Sequence, residues 1–350
     1  MEQNSNGSIK AYQNNLIQSN HTNETAAYFV NLVATITYLA IIIIIGIIYN
    51  VINLSTIYKT VILHNYSNVL IANLAIVDLM TITIVLPMAI SITILKTEVP
   101  SWICQAFGFL SQFLDSVSIC NNAAISIDRF IAVTLPYYYQ KHMTFTILKC
   151  EIVILWLIPI QIGILPLIKM KNFQLGQFEY IYRSTQCWIN FRQSYNTIIA
   201  LIILISMTLM LTIIITCYIF IFVVAYGKNI KNPPNIRNLK KSIRTTILIV
   251  GANIVCWIPI LITCWFSFLR PQIDYPDNID KMSSMLCYTH AAFNPVIYCT
   301  TNHILRNKLK RIANKRTAIF PAVPLRITPA SSRHIERDLI FQNSIVLIDT

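Results

Sequence analysis

Seven apolar stretches dominate the chain, and each is long enough to cross a bilayer, which takes roughly 20 residues for about 30 Å of hydrocarbon. Charged residues make up only 12% of the chain and apolar residues 55%, whereas soluble domains carry about 25% charged residues. The pattern predicts an all-α membrane protein, a bundle of seven transmembrane helices. The expected spans are 33–57, 69–95, 103–135, 147–168, 197–225, 245–269 and 282–299.

The charges between the spans predict their orientation. The segments 226–244, after span five, and 300–316, after span seven, are basic and hold no acid, so we expect both in the cytoplasm. Their basic residues are Lys228, Lys231, Arg237, Lys240, Lys241 and Arg244, then Arg306, Lys308, Lys310, Arg311, Lys315 and Arg316. The loop between spans six and seven is acidic, with Asp274, Asp277 and Asp280. Because the basic residues face inward, the net charge of +13 favours contact with anionic membrane lipids and an acidic cytoplasmic partner over nucleic acid.

The polar N-terminus, residues 1–29, is expected outside the cell. It carries glycosylation sequons at Asn6, Asn20 and Asn23. It lacks the apolar core of a cleavable signal peptide, so span one is expected to act as the uncleaved insertion signal. The chain is thus predicted to be a multi-pass protein of the plasma membrane. Two further sequons, at Asn53 and Asn65, are chance matches under this topology.

Five short motifs follow one another in a fixed order, each in its own apolar stretch. They are Asn73-Leu-Ala-Ile-Val-Asp78, Asp128-Arg-Phe130, Trp156, Cys256-Trp-Ile-Pro259 and Asn294-Pro-Val-Ile-Tyr298. The ordered set resembles the rhodopsin-like (class A) G protein-coupled receptors over about residues 30–313. The resemblance implies a seven-helix domain at 30–300, an amphipathic eighth helix at 301–316 and a disordered cytoplasmic tail at 317–350. It also implies a heterotrimeric G protein as partner, with arrestin as a second candidate.

The eighth helix has support of its own from residue spacing. Leu305, Leu309 and Ile312 recur at helical spacing opposite the basic residues of this segment, which is typical of a helix lying at the membrane interface.

Two cysteines lie on the predicted outer side, Cys104 at the start of span three and Cys187 in the loop after span four. An oxidising exterior permits a disulfide there, and the resemblance implies one between these two positions. The loop before Cys187, residues 173–182, alternates aromatic and polar residues around Gly176, which favours a short hairpin over the ligand site.

Asp78 is an acid inside a span, where charge is costly and indicates function. The resemblance implies that it faces Asn50, Ser118 and Asn294 and that this cluster holds an allosteric sodium ion. A hydrogen-bonded polar plug without an ion is the alternative. His290 stands where the family usually has Asn, which argues against sodium. No other cofactor is expected.

The cytoplasmic ends of the spans carry the predicted switch. The resemblance implies that Arg129 neutralises Asp128 at rest and, once span six swings outward, reaches the G protein and Tyr218. The alternative is an Arg that merely extends to the interface. Pro259 removes a backbone hydrogen bond and bends span six, which makes a hinge. We expect Pro295 and Tyr298 to take part in the same movement.

Several positions depart from the family pattern. Asn122 and Asn253 stand in a layer that is normally apolar, Met210 replaces a Pro, and Leu239 replaces a Glu that restrains Arg129. Each change would weaken the inactive packing, which predicts raised basal signalling. The alternative is that Asn122 and Asn253 hydrogen-bond one another.

The ligand site is predicted from Ser111, Asp115, Trp257 and Tyr288. Amine receptors carry an Asp at the position of Ser111 and opsins a Lys at that of Tyr288, so neither role is supported. Asp115 would either meet a cationic ligand group or remain neutral and bond Tyr288. The aromatic outer loops with Arg183, Arg192 and Arg270 suit a peptide ligand.

Other functional classes have weaker support in the sequence. The sequence lacks the inverted repeat that is typical of a transporter. It also lacks an evident set of His, Ser or Cys residues that would supply the nucleophile and base of an enzyme. Within the receptor class, the alternative is a constitutively active or heterodimerising receptor without its own agonist.

Overall fold

The protein is a bundle of long helices with a small β structure at one end. The computed structural model describes residues 2–95, 98–170, 173–231, 236–301 and 306–307. The helices are α1 (Glu2–Lys59), α2 (Tyr66–Met80), α3 (Leu86–Leu95), α4 (Ser101–Thr134), α5 (Pro136–His142), α6 (Phe145–Ile164), α7 (Thr197–Lys231), α8 (Ile236–Leu269), α9 (Asp277–Tyr288) and α10 (His290–Thr301). The strands are β1 (Lys169–Met170), β2 (Phe173–Gln174), β3 (Phe178–Ile181) and β4 (Gln186–Ile189).

Six helical segments of the described chain are long and apolar enough to cross a membrane. They are Phe29–Lys59, Tyr66–Leu95, Ser101–Thr134, Phe145–Leu167, Ser194–Val224 and Gly251–Leu269. Each contains most of one predicted span, so spans one to six are confirmed. Their outward residues are large and apolar, as in Ile44, Ile205 and Ile262, because a lipid-facing helix needs no polar surface.

The predicted seventh span, 282–299, is not one continuous helix. It consists of α9 and α10, which meet at Thr289. The Thr289 hydroxyl donates to the Met285 carbonyl at 3.1 Å, and its N–H donates to the Leu286 carbonyl three residues back at 3.1 Å. Side-chain bonding of this kind bends helices, and Pro295 removes a further backbone donor. The predicted span 282–299 is therefore built from two consecutive helices.

Span two also deviates from a regular helix. Residues Thr81–Val85 form a π turn between α2 and α3, just before Pro87. A π turn is often found at functional sites, and it alters which side chains of α3 face the bundle.

Helix α4 lies at the centre of the bundle and contacts α2, α6, α7 and both strands β3 and β4. One apolar cluster joins α4, α7 and α8 through residues such as Ile203, Leu211 and Ile260. A second joins α1 and α3 to α4 through Leu39, Leu86 and Leu114. Seven of the seventeen buried residues of α4 are nevertheless polar, and buried polar groups in a bundle of apolar helices are candidate functional residues.

The loop after α6 contains two separate antiparallel hairpins, β1 with β2 and β3 with β4. The sequence predicts a single hairpin around Gly176, so that detail is wrong: Gly176 lies between the hairpins. A Cβ there would lie 2.5 Å from Ile199 of α7, so glycine permits the close approach. The predicted disulfide between Cys104 and Cys187 is confirmed, and it fastens β4 to the start of α4.

Three predictions concern residues that lie outside the described ranges. The sequon side chains, the basic side chains between α7 and α8 together with Leu239, and the tail at 317–350 lie outside the described residues. Of the predicted eighth helix, 301–316, only three residues are described, namely Thr301, Arg306 and Asn307, so it stays a prediction.

Candidate functional site

A polar cluster lies at the middle of the bundle around Asp78. Its carboxylate is fully buried and accepts hydrogen bonds from Asn294 Nδ2 at 3.2 Å and Ser118 Oγ at 3.5 Å. Nε2 of His290 lies 3.9 Å from Asp78 Oδ1. The predicted neighbours Ser118 and Asn294 are thus brought to Asp78, while an imidazole covers a side where a hard cation would need oxygen ligands. Sodium binding at this cluster stays a prediction.

Asn50 was expected beside Asp78 but donates its hydrogen bonds elsewhere. Its Nδ2 contacts the carbonyls of Gly46 and Ala291, both at 3.0 Å. Ala291 lies four residues before Pro295, whose ring nitrogen has no proton to donate. Asn50 therefore supplies the donor that the Asn-Pro-x-x-Tyr motif removes from its own helix.

A second polar contact joins three helices. Asn73 Nδ2 donates to Asn121 Oδ1 at 2.7 Å, and Trp156 Nε1 donates to Asn73 Oδ1 at 3.1 Å. Sequence reasoning found Asn73 and Trp156 as motif residues but missed Asn121. Its signal was a second buried amide beside Asn122, since polar residues inside membrane bundles are commonly paired across helices.

Trp257 lies between the polar cluster and the ligand side of the bundle. Its ring is buried, and its centroid lies 4.8 Å from that of His290, with the planes 30° apart. His290 thus contacts both the tryptophan above and the Asp78 carboxylate below. Pro259 lies inside α8 two residues after Trp257, so a bend at this point would move the ring against His290.

Two cavities open toward the outer side of the bundle. The outer one, of about 240 Å³, is bounded by β3, β4, α8 and α9 and is lined by Tyr182, Arg183, Phe191, Ser267 and Asp280 among others. The inner one, of about 20 Å³, is lined by Asp115, Met207, Trp257 and Cys287. Trp188 and Ile260 line both cavities. Trp188 Nε1 donates to Gln112 Oε1 at 2.7 Å, which holds this side chain between the two.

The four predicted ligand residues surround this region. Asp115 and Trp257 line the inner cavity, and Ser111 Oγ lies 3.4 Å from Asp115 Oδ2. Tyr288 does not bond Asp115; its hydroxyl donates to Gln186 Oε1 at 3.1 Å. The expected alternative of an Asp115–Tyr288 hydrogen bond is therefore not formed.

The outer loops are fastened to one another by two arginines. Arg183 pairs with Asp274 and Asp277, and Arg192 Nη1 donates to the Pro271 and Ile273 carbonyls at 2.8 and 3.1 Å. Both guanidinium groups lie over the Tyr275 ring, at 5.2 and 5.1 Å from its centroid. Burial raises the pKa of Asp280, which accepts from the Tyr275 hydroxyl at 2.6 Å.

The C-terminal end of α4, which the sequence predicts to be cytoplasmic, differs from the expected resting arrangement. Asp128 is buried and accepts hydrogen bonds from Ser67 Oγ and, at 2.7 Å, from the Tyr139 hydroxyl. Arg129 is exposed, and no ion pair joins it to Asp128 among the described residues. The expected Asp128–Arg129 pair is thus replaced by two hydroxyl donors. Tyr218 and Tyr298 are both buried below the polar cluster.

The membrane-spanning helices, the disulfide-anchored hairpin and the buried central acid agree with the expected seven-helix bundle. The family described as 7 transmembrane receptor (rhodopsin family) matches residues 49–298, so the chain belongs to that family. This confirms the family resemblance and the receptor class, and it excludes the enzyme class.

Similar proteins include the histamine H2 receptor of Homo sapiens, 27% identical over 270 residues, 73% of this chain and 74% of that one. The octopamine receptor beta-2R of Chilo suppressalis is 25% identical over 281 residues, 70% of each chain. The trace amine-associated receptor 13c of Danio rerio is 27% identical over 256 residues, 66% of this chain and 71% of that one.

Proposed function

We propose that this receptor, in the plasma membrane with its N-terminus outside, activates heterotrimeric G proteins through an outward movement of α8. The observation that carries the proposal is the cytoplasmic end of α4. Ser67 and Tyr139 hold Asp128, so the neighbouring Arg129 is exposed toward the side where a G protein would dock. Arrestin as a further partner stays a prediction.

A continuous set of contacts supports transmission from the ligand side to that end. Trp257 contacts His290, and His290 lies against Asp78. Asp78 accepts from Asn294, which begins the kinked motif ending at Tyr298. A ligand that shifts Trp257 would therefore disturb packing at the Pro259 hinge and at the polar cluster together.

The test is nucleotide exchange on G proteins in membranes that contain the receptor. Arg129→Ala should reduce exchange at least tenfold at equal surface expression, because it removes the cytoplasmic contact. Lys141→Ala is the matched control, since Lys141 is an exposed cytoplasmic cation of α5, and it should stay within twofold of the wild type. Full exchange in the Arg129→Ala protein would contradict the proposal.

A small amine is the ligand class that we propose. The similar receptors are named for histamine, octopamine and trace amines, and Asp115 supplies a carboxylate at the inner cavity. The sequence argument for a peptide relied on Arg183 and Arg192, and both are occupied by the receptor's own loop. A second-messenger screen with amines and peptides distinguishes the two ligand classes. A response to peptides alone would contradict the amine proposal.

Signalling without an agonist is the second candidate, favoured by one observation. Asn122 and Asn253 are both buried in the bundle core, and Asn122 Nδ2 donates to the Ser118 carbonyl of its own helix at 3.1 Å. Because the family usually has apolar residues in this layer, the two amides change the packing between the helices, and such a change can shift the resting equilibrium toward activity. Basal exchange in ligand-free membranes, compared with exchange in amine, separates the two candidates.

A further inference from the structure

Asp115 is an acid in the bundle with an unusual lack of partners. Its Oδ1 is buried and has no hydrogen-bond partner, and its described hydrogen bond is a long one from Ser111 Oγ at 3.4 Å. No described Lys, Arg or His forms an ion pair with it. A buried carboxylate is costly unless a charge or strong donors compensate it, so the missing partner is informative.

The other acids of the described bundle have the partners that Asp115 lacks. Asp78 accepts from an amide and a hydroxyl, and Asp128 accepts from two hydroxyls. Asp280, at the rim of the outer cavity, accepts from Tyr275. Tyr288, the sequence candidate for neutralising Asp115, donates to Gln186 instead. The described residues therefore offer no charge that would compensate an ionised Asp115, and a cationic ligand group would supply it.

The space in front of Asp115 suits a cation of small size. The inner cavity of about 20 Å³ holds about one water molecule, which is close to the size of an ammonium head group. Trp257 and Trp188 form part of its wall. Indole rings attract cations through their faces, so carboxylate and aromatic walls favour the same kind of occupant.

The outer cavity supplies room for the rest of such a ligand. It measures about 240 Å³, and Trp188 and Ile260 are the wall that it shares with the inner cavity. Trp188 is held by one side-chain hydrogen bond, to Gln112, on a strand that the Cys187 disulfide fixes in place. A rotation of this side chain would join the cavities without moving the strand.

We propose that Asp115 anchors the ammonium group of a small primary amine, with the head in the inner cavity and the body in the outer one against Trp188. The anchor lies one helical turn deeper than Ser111. This inference rests on the proposed function, because it assigns the charged contact of the receptor's ligand site. It also predicts selectivity for a head group no larger than –NH₃⁺.

The test measures binding to the purified full-length receptor from the ligand-induced rise in its melting temperature. The probes are 2-phenylethylamine, its uncharged counterpart 2-phenylethanol, and its N-trimethylated form. We expect the primary amine to bind at least tenfold more tightly than either of the others. This comparison uses the wild-type protein, so it does not depend on the folding of any variant.

Two charge-neutralising variants locate the site. Asp115→Asn should weaken amine binding at least tenfold, whereas Asp274→Asn, which removes an exposed acid that lines neither cavity, should change it less than threefold. Three outcomes would overturn the inference: equal affinity in the Asp115→Asn protein, a larger loss in the Asp274→Asn protein, or no stabilisation of the wild type by the amine.

G protein coupling and amine binding at Asp115 are measured by separate experiments. Arg129-dependent nucleotide exchange in ligand-free membranes reports coupling without any amine. Nucleotide exchange that persists while the amine fails to bind would overturn only the proposal that Asp115 anchors the amine. Amine binding without any exchange would overturn only the proposal of G protein coupling.

Discussion

Asn50 of α1 donates its side-chain N–H to the backbone carbonyl of Ala291 in α10 at 3.0 Å. Ala291 precedes Pro295 by four residues, so the proline leaves this carbonyl without its helical donor. In hydrocarbon an unsatisfied carbonyl is costly because no water replaces the lost bond. One polar side chain of span one therefore makes the kink of span seven tolerable.

This relationship predicts the cost of Asn50→Ala. We expect a loss of about 1–3 kcal/mol in the free energy of unfolding, because a buried acceptor is left unsatisfied. In a Pro295→Ala background the restored backbone N–H can bond Ala291, so the cost of Asn50→Ala should fall below about 1 kcal/mol. Thermal unfolding of the four proteins in detergent measures the cycle. Equal costs in the two backgrounds would show that Asn50 acts elsewhere.

A second prediction concerns the Tyr139–Asp128 contact. Burial raises the pKa of the Tyr139 hydroxyl to about 12, so the group keeps its proton and donates throughout the physiological pH range. Tyr139→Phe removes this donor and leaves Asp128 available to pair with Arg129. A change of about 1.4 kcal/mol in that balance alters a population roughly tenfold, so we expect nucleotide exchange to fall between threefold and tenfold.

Tyr138→Phe is the control for this change. Tyr138 is the neighbouring tyrosine of α5; it is exposed and stacks on His142 at 4.4 Å between ring centroids. The control should leave exchange within twofold of the wild type. A matching loss in both variants would assign the effect to α5 as a whole rather than to Asp128.

The spans, the disulfide and the neighbours Ser118 and Asn294 of Asp78 could be predicted from the sequence. Length and apolar composition determine spans because the bilayer leaves few alternatives to a helix. The break at Thr289 could not be predicted, because no Gly or Pro adjoins it and the hydroxyl bond of Thr289 also occurs within unbroken helices, as at Thr93 and Ser126. The π turn at Thr81–Val85 likewise leaves the apolar pattern unchanged.

The partners of polar side chains were the least predictable part of the site. Asn50 was expected at Asp78 and bonds Ala291 instead, and Asp128 was expected at Arg129 and bonds Ser67 and Tyr139. Each choice depends on differences of an ångström or two between neighbouring helices, which a linear motif does not encode. The position of Trp188 between two cavities depends on the fold of a loop, and loop conformations are the most variable part of a fold.

A third prediction concerns the two buried amides Asn122 and Asn253. Replacing them by the apolar residues usual in the family, with Asn122→Leu and Asn253→Phe, should lower basal nucleotide exchange several-fold without reducing surface expression. The physical reason is that tighter apolar packing favours the inactive population. Arg129→Ala should abolish exchange in both backgrounds, because it removes the contact of the active receptor with the G protein and does not change the fraction of active receptor. Basal exchange that is undetectable in the wild type would contradict this account.

The fourth prediction concerns sodium and His290. In this structure His290 Nε2 lies 3.9 Å from Asp78 Oδ1, on a side of the carboxylate that a bound cation would otherwise use. We therefore expect weak sodium dependence in the wild type, less than twofold in basal exchange when sodium replaces a bulky organic cation at constant ionic strength. His290→Asn supplies an amide oxygen that can bind the cation, so sodium should then lower basal exchange several-fold. Adding Asp78→Asn should remove the gained response, because the carboxylate supplies the charge. A wild-type response as large as that of His290→Asn would show that the imidazole does not exclude the ion, and an unresponsive His290→Asn protein would favour the polar plug without an ion.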